Sequence, residues 1–372
     1  MNRGEHYHII SPFNGNNLVQ HSNHLMTDGE NLFPVFDNII YMRDRDEIRL
    51  PAIQMIFRDQ YDKALRHLLR DQESNSTRVP PTASDLGEVE IPGNLSMGKM
   101  MQLLNYGPAA HEYHHLWSLP CFMAGLSLMM LTVQEDRPVL DMACHTGHNL
   151  RHLESHGFDT MGVDVVFSRL YLARHWMEVK APLVCADVQR SIPIEFFEAN
   201  TVLFLNELEH LRHQERTLRG LRTLATSLGS LAVSTDECPP MQIVSPDVQV
   251  DYDRALQLSP DGHIYTEDML LQMWFTRMER PSLQQAPENG DTAIAWIEGQ
   301  MNHSLYPLGK PAGTLTVNPL LSPGARVPDF PNSSFQKKYE KKLTYMTQAM
   351  GEHLDQTSQY RHRVLLDIPE RW

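Results

Sequence analysis

The chain has 372 residues, 41% of them hydrophobic and 21% charged, a balance that excludes a disordered or fibrous protein. Its formal net charge of −14 argues against a nucleic-acid backbone as partner, because phosphate binding needs a basic surface. The longest apolar run, "CFMAGLSLMML" at 121–131, is too short to cross a bilayer and suits a buried helix.

The four cysteines, Cys121, Cys144, Cys185 and Cys238, form no C-x-x-C pair and suit a reducing compartment. The first residues, "MNRGEHYHII", lack the apolar core of a secretory leader, so the expectation is a cytoplasmic protein. The one basic run, "KKYEKK" at 337–342, reads as the solvated face of a C-terminal helix.

Along the chain, residues 1–50 predict short strands joined by turns, with an Asn-Gly signal in "FNGNNLV". From Pro51 to about Arg70 the apolar residues fall at helical spacing, and the polar, Pro- and Ser-rich stretch after them reads as a loop or flap. Helical pattern returns over 95–133. Strands then alternate with helices: "PVLDMA", "TMGVDV", "PLVCADV", "NTVLFLN" and "GSLAVST" are strands, with helices near 148–156, 168–179 and 211–227. Such alternation predicts a parallel sheet covered on both faces. Residues 236–263 read as an irregular insertion, "TEDMLLQMWF" as a helix, and 277–283 and 292–298 as the last strands.

In such a sheet the ligand sits at the carboxyl ends of the strands, where strand order reverses. The first strand ends at Asp141, and the turn "ACHTGHN" must let backbone N–H groups approach a ligand, which calls for small residues. Ala143 and Gly147 meet that need; His145 does not. Asp164 ends the second strand, where a carboxylate can accept from ribose hydroxyls, and Asp187 follows the third, within reach of an adenine amino group. Three acids at three successive strand ends are the strongest functional signal in the chain.

The run "VLDMACHTGHNL…GFDTMGVDVV…APLVCADVQRSIPI…NTVLFLNELEHL" resembles the class I S-adenosylmethionine-dependent methyltransferases. Their first motif is approximately hydrophobic-L-D-x-G-C-G-x-G, with acids ending the next two strands. The likeness covers about residues 120–300 and departs at Ala143 and His145, where the family usually has glycines. It implies S-adenosylmethionine as cofactor, bound by Asp141, Ala143, His145, Gly147, Asp164, Asp187 and Asn206. Asn206, Glu209 and His210 of "NELEHL" align with E-x-x-E-H, which holds a metal in the ubiquinone-type O-methyltransferases, but the first acid is an amide here. Glu209 and His210 are therefore catalytic candidates without an assigned metal, a weak metal site or a His210 base; the alternative is that they cap the next helix and pair with its charges. The opening "SPFNGNNLV…LFPVFDNIIYMR" resembles the small Trm112-type zinc domain, with Ser11 and Asn14 in place of its first cysteine pair, which implies a unit that folds without zinc.

"HEYHHLW" puts His111 and His115 four apart on one helix face, as metal ligands stand, but 19 histidines make such clusters easy to generate. Tyr106, Tyr113 and Trp117 suit either a lid that meets a sulfonium through cation–π attraction or ordinary core packing. His148, His152 and His156 read as surface or rim residues.

The sequence thus predicts an α/β, Rossmann-like class I methyltransferase fold with a mostly parallel seven-stranded sheet, plus a small N-terminal β unit and helical additions. The expected units are 1–50, a helical lid region 51–120, the cofactor-binding domain 121–300, and a C-terminal extension 301–372. The expected function is methyl transfer to a small molecule, without nucleic-acid or membrane partners, the oligomeric state being open. The alternative is a methyltransferase fold that no longer methylates: a cyclase, decarboxylase or lyase, or a non-catalytic partner protein. His145 is the feature that favours it.

Overall fold

A computed structural model describes residues 7–72, 79–87, 93–107, 120–134, 137–196, 200–232, 250–276, 280–287 and 293–302, with a few positions beyond. Its N-terminal part holds strands β1 (Tyr7–Ile9), β2 (Val19–Ser22), β3 (Leu25–Thr27), β4 (Leu32–Phe36) and β5 (Ile39–Tyr41). Helices α1 (Asp46–Ile56), α2 (Tyr61–Leu68), α3 (Ala83–Gly87), α4 (Met97–Leu103) and α5 (Pro120–Thr132) follow. Then come β6 (Val139–Asp141), α6 (His148–Ser155), β7 (Thr160–Asp164), α7 (Phe167–His175), β8 (Leu183–Cys185), β9 (Ile194–Phe196) and β10 (Asn200–Leu205). After a 3-10 turn at Leu208–His210 the described chain continues with α8 (Gln214–Arg222), β11 (Ala225–Ala232), α9 (Tyr252–Leu258), β12 (His263–Thr266), α10 (Glu267–Thr276) and β13 (Ile294–Gly299).

Eleven of these strands form one sheet in the order β12-β13-β11-β10-β6-β7-β8-β5-β4-β3-β2. Its middle, from β11 to β5, is parallel; both flanks are antiparallel, so the sheet is mixed. It is wider than the seven strands expected, because the N-terminal strands do not stand apart as a separate unit. β5 pairs in parallel with β8, with Tyr41 opposite Cys185, and β4, β3 and β2 continue outward from it. β1 instead pairs with β9, tying the chain start to the segment before β10.

Local sequence explains most elements. The expected single helix over 51–70 is two, because Asp59 adopts φ 56° and turns the chain between them. α5 has no polar stripe and is buried all round from Cys121 to Thr132; Ser127 satisfies its hydroxyl by donating to Leu270 O of α10 at 2.6 Å. Of the strand expected over 277–283, the described residues 280–283 form none; β12, which starts at the last residue of the expected insertion, pairs with β13 instead, and Leu283 N–H donates to Ile264 O at 2.7 Å. Among the described residues no helix is long and apolar enough to cross a membrane. Cys121, Cys144 and Cys185 are buried free thiols, and Cys238 lies outside the described residues.

At the chain start, Ser11 and Asn14 lie in a hydrogen-bonded knot. Ser11 Oγ accepts from Phe13 N–H, Asn14 Oδ1 accepts from Asn16 N–H, and Asn16 Nδ2 donates to Asp28 O. Asp28 in turn accepts from the N–H groups of Glu30 and Asn31 and from Asn31 Nδ2. Burial opposes its ionisation, but the Ser11 hydroxyl and these donors hold its pKa down at about 2.

Candidate active site at the carboxyl ends of the parallel strands

Strand order reverses between β6 and β10, so the crevice above their carboxyl ends is where this fold can accept a ligand. The turn after β6 is suspended between its two neighbours: Met142 N–H donates to Leu203 O of β10 and Cys144 N–H to Val163 O of β7. Asp164, at the end of β7, then organises both adjoining turns. Its Oδ2 accepts from His145 N–H at 3.0 Å, and its Oδ1 accepts from Val166 N–H at 2.8 Å and faces Arg169 Nη1 at 3.5 Å.

Gly147 caps α6 with φ 82°, and the reason for glycine is packing. A Cβ there would come 2.8 Å from Val179 Cγ2 and 2.9 Å from Ala173 Cβ. The glycine seats the turn against α7, whereas the sequence suggested that it clears a path for the ligand. Ala143 is buried at the start of the turn, and His145 takes φ 50°, a left-handed conformation uncommon for a residue with a side chain.

Two acceptor groups are buried here without a well-aligned donor. Both carboxylate oxygens of Asp141 are inaccessible and without an aligned hydrogen bond, and Asn206 Oδ1 is in the same state. Burial raises the Asp141 pKa to about 7, although the His145 charge, the Asn149 side chain and the Ala143 N–H draw it back. Asn206, directly after β10, has φ 62°, its N–H donating to Leu231 O at 2.7 Å.

Across the same crevice His145 Nε2 lies 2.8 Å from Glu207 Oε1, with side chains 17% and 13% exposed. The contact pairs an imidazole with a carboxylate, and both its charge and its hydrogen bonding act on the two groups. Burial works against both charges. For His145 the Glu207 carboxylate outweighs it and raises the imidazole pKa; for Glu207 the charge and hydrogen bond of His145, then the charges of His210 and Arg169, outweigh it and hold the acid below the usual carboxylate range. Glu209 is buried in the 3-10 turn and His210 is half-buried beside it. Among the described residues no three His, Cys, Asp or Glu side chains are grouped as a metal ion needs.

Asp187 stands at the rim, 28% exposed, its Oδ1 accepting from Gln189 N–H at 3.0 Å. Arg190 pairs with Asp44, linking the turn after β8 to the chain after β5. Deeper on that side, Asp71 accepts from Tyr41 Oη at 2.8 Å, Arg43 Nη1 at 2.6 Å and Arg45 Nη1 at 2.7 Å. Burial first, then the Asp71 charge, pushes the Tyr41 phenol far above its usual range.

Asp141, Asp164 and Asn206 therefore stand at the carboxyl ends of the neighbouring strands β6, β7 and β10, with Ala143 and His145 in the turn after β6 and Asp187 just beyond β8. Sequence reasoning passed over Glu207 and Arg169, since only the fold shows which side chain of "NELEHL" crosses to the neighbouring turn. His148 and His152 are buried, not at a rim: they face Phe122 and Trp274 at ring distances of 6.0 Å and 6.5 Å, where α6 packs inward. Burial, then the neighbouring His145, lowers the His148 pKa well below the usual range. Tyr106 is buried, its hydroxyl 2.9 Å from Ser168 Oγ, so it packs as core. Tyr113, Trp117, His111 and His115 lie outside the described residues.

Residues 118–287 match a family described as methyltransferase domain. Among solved structures the chain is similar to a TehB-like SAM-dependent methyltransferase from Corynebacterium glutamicum, with 14% identity over 48% of this chain and 86% of that one, at a TM-score of 0.33. It is also similar to the plantazolicin methyltransferase BpumL, solved with a triazolic desmethylPZN analog and SAH: 13% identity, 55% and 96% coverage, TM-score 0.34. The 4+2 cyclase SpnF shares 16% identity over 39% of this chain and 57% of its own, at 0.31. No curated protein matches the sequence. These structural likenesses are too partial to speak for an activity. The domain match agrees with S-adenosylmethionine as cofactor, and so do the residues present, since two buried acceptors without a well-aligned donor fit a ligand that carries an ammonium group.

Proposed function

We propose that the protein is an S-adenosylmethionine-dependent methyltransferase that acts on a small-molecule acceptor by in-line transfer. The observation that carries this reading is the pair of unsatisfied acceptors, Asp141 and Asn206, buried at the reversal point of the sheet. Leaving such groups incompletely hydrogen-bonded is costly, and the α-ammonium of the cofactor would complete them. Asp164 keeps acceptor capacity beyond its two backbone donors and would take the ribose hydroxyls; Asp187 would take the adenine amino group. Gly147, where a Cβ would meet Val179 and Ala173, fixes where the turn stands.

The cofactor supplies an electrophilic methyl group on a sulfonium. The chain then has chiefly to hold the acceptor in line and exclude water. A proton acceptor is needed only for a protonated nucleophile, and His210, with Glu209 beside it, is the candidate. Net charge of −14 favours a neutral or cationic acceptor over a polyanion. One observation favours the non-methylating reading: the His145–Glu207 pair stands where the family motif has glycine and narrows the crevice.

Calorimetric titration separates these readings. Wild-type protein is expected to bind S-adenosylmethionine and S-adenosylhomocysteine. Asp164→Ala is expected to weaken the latter by about 1–3 kcal/mol, roughly ten- to hundredfold, with the fold retained by circular dichroism. A folded wild-type protein that binds neither ligand overturns the proposal.

A further inference from the structure

We propose that Tyr106 and Trp176 are positioning residues for the cofactor. Through Ser168 and Leu95 they brace helix α7 at both ends, and α7 carries the groups that aim the Asp164 carboxylate. This rests on the cofactor reading above and goes beyond it, because the brace comes from residues 95–106, which precede the matched stretch 118–287.

The sequence of α4 fixes both of its ends. Ser96 caps the start by accepting from Lys99 N–H at 3.4 Å. Met97, Met100, Met101 and Leu104, at helical spacing, enter the same core as Phe167, Leu170, Tyr171 and Trp176. Asn105 then takes φ 57°, with its own N–H donating to Gln102 O and the Tyr106 N–H donating to Met101 O. This pair of bonds is a helix stop with asparagine in the left-handed position, and it delivers Tyr106 to the interior. Tyr106 is 5% exposed, and its hydroxyl stands 2.9 Å from Ser168 Oγ. On the other flank of α4, Leu95 O accepts from Trp176 Nε1 at 2.8 Å, and the Trp176 side chain is buried.

Helix α7 is buried from Phe167 to Ala173, held by apolar packing that has no direction of its own. Hydrogen bonds do have one. A bond at Ser168, in the first turn, and another at Trp176, directly past the last, set the position and rotation of the helix. That placement reaches the strand ends through α7 itself. Its N-cap residue, Val166, donates N–H to Asp164 Oδ1 at 2.8 Å, and Arg169 Nη1 stands 3.5 Å from the same oxygen. Further along, Ala173 lies against Gly147, where a Cβ would meet it at 2.9 Å. Asp164 takes the ribose hydroxyls in the cofactor reading, so a displaced α7 misaims that acid first.

The test reads ribose recognition, which lost stability by itself does not change. S-adenosylhomocysteine and its 2′-deoxyribose analogue are titrated by calorimetry into wild-type protein, Tyr106→Phe, Ser168→Ala, the double variant, Trp176→Phe and Arg222→Gln, each checked for folding by circular dichroism. Arg222→Gln breaks the pair with Glu298, on the other flank of the sheet, and is the control for lost stability. Wild-type protein is expected to prefer the ribose form by about tenfold or more. Tyr106→Phe and Ser168→Ala are each expected to cut that preference about three- to tenfold, the double variant no further than either single one. Trp176→Phe is expected to act in the same direction, and Arg222→Gln to leave the preference as it is. If Tyr106→Phe and Ser168→Ala keep the wild-type preference, or Arg222→Gln loses as much as they do, the positioning role is wrong while the cofactor reading stands. Equal binding of both forms by wild-type protein overturns it too, since Asp164 then has no ribose to hold. If wild-type protein does not bind S-adenosylhomocysteine, the cofactor reading fails and the brace with it.

Discussion

Asp141 carries a cost that ligand binding can relieve, and the cost has a pH signature. Its carboxyl pKa rises from 3.8 to about 7 on folding, chiefly through burial. Between those values the folded protein holds more proton than the unfolded chain, so stability falls as pH rises and the loss is complete above about pH 7. A shift of this size corresponds to about 4 kcal/mol. Asp141→Asn removes the charge and keeps the shape, so in urea unfolding it is expected to be more stable than wild type at pH 8 and similar to it near pH 4. A difference that does not grow with pH would contradict the assignment. The three strand-end acids were legible because a carboxylate closing a strand is a one-residue signal at a known offset. Glu207 and the buried faces of His148 and His152 were not, because their meaning depends on what another turn or helix sets opposite them.

The parallel strands could be read from apolar runs alone, but two elements were misjudged for a common reason. "HIYT" at 263–266 is four residues long and follows a polar stretch, so periodicity cannot mark it; its pairing with β13 does. β5 has only three residues and gains its place from β8 and from Asp71, which gathers Tyr41, Arg43 and Arg45. The Arg43–Asp71 pair is almost wholly buried, at 4% and 0% side-chain exposure. Asp71→Ala would leave the Arg43 guanidinium without its carboxylate, and is expected to cost about 3–5 kcal/mol in chemical unfolding. Loss of less than about 1 kcal/mol would show that the arginines find other partners, since typical surface pairs contribute no more than that.

At the level of the whole molecule, the expected boundary near residue 50 does not act as a seam. β2 to β5 extend the same sheet that holds the crevice, and β1 is tied to β9. Removing residues 1–45 would bare the edge of β8 and take Arg43 and Tyr41 from Asp71. The shortened chain is expected to aggregate, by size-exclusion chromatography, or to melt well below the full chain. A soluble monomer with unchanged melting temperature would mean that the first 45 residues are an independent addition. Composition alone could not have revealed this, because sheet membership depends on a partner far along the chain.

That distance has a consequence during synthesis. Tyr41 must wait for Cys185 before β5 has its parallel neighbour. At a translation rate of about 5–20 residues per second, the first strands spend on the order of ten seconds outside the ribosome with one edge unpaired. β2 keeps a free edge even afterwards, and its Gln20, His21 and Ser22 make that edge polar. The opposite edge of the nascent ribbon, formed by Ile39, Ile40 and Tyr41, is apolar and becomes buried only at the end of the wait. Yield of folded protein should therefore respond to elongation speed and to chaperones that shield short apolar strands, even where the finished molecule is stable.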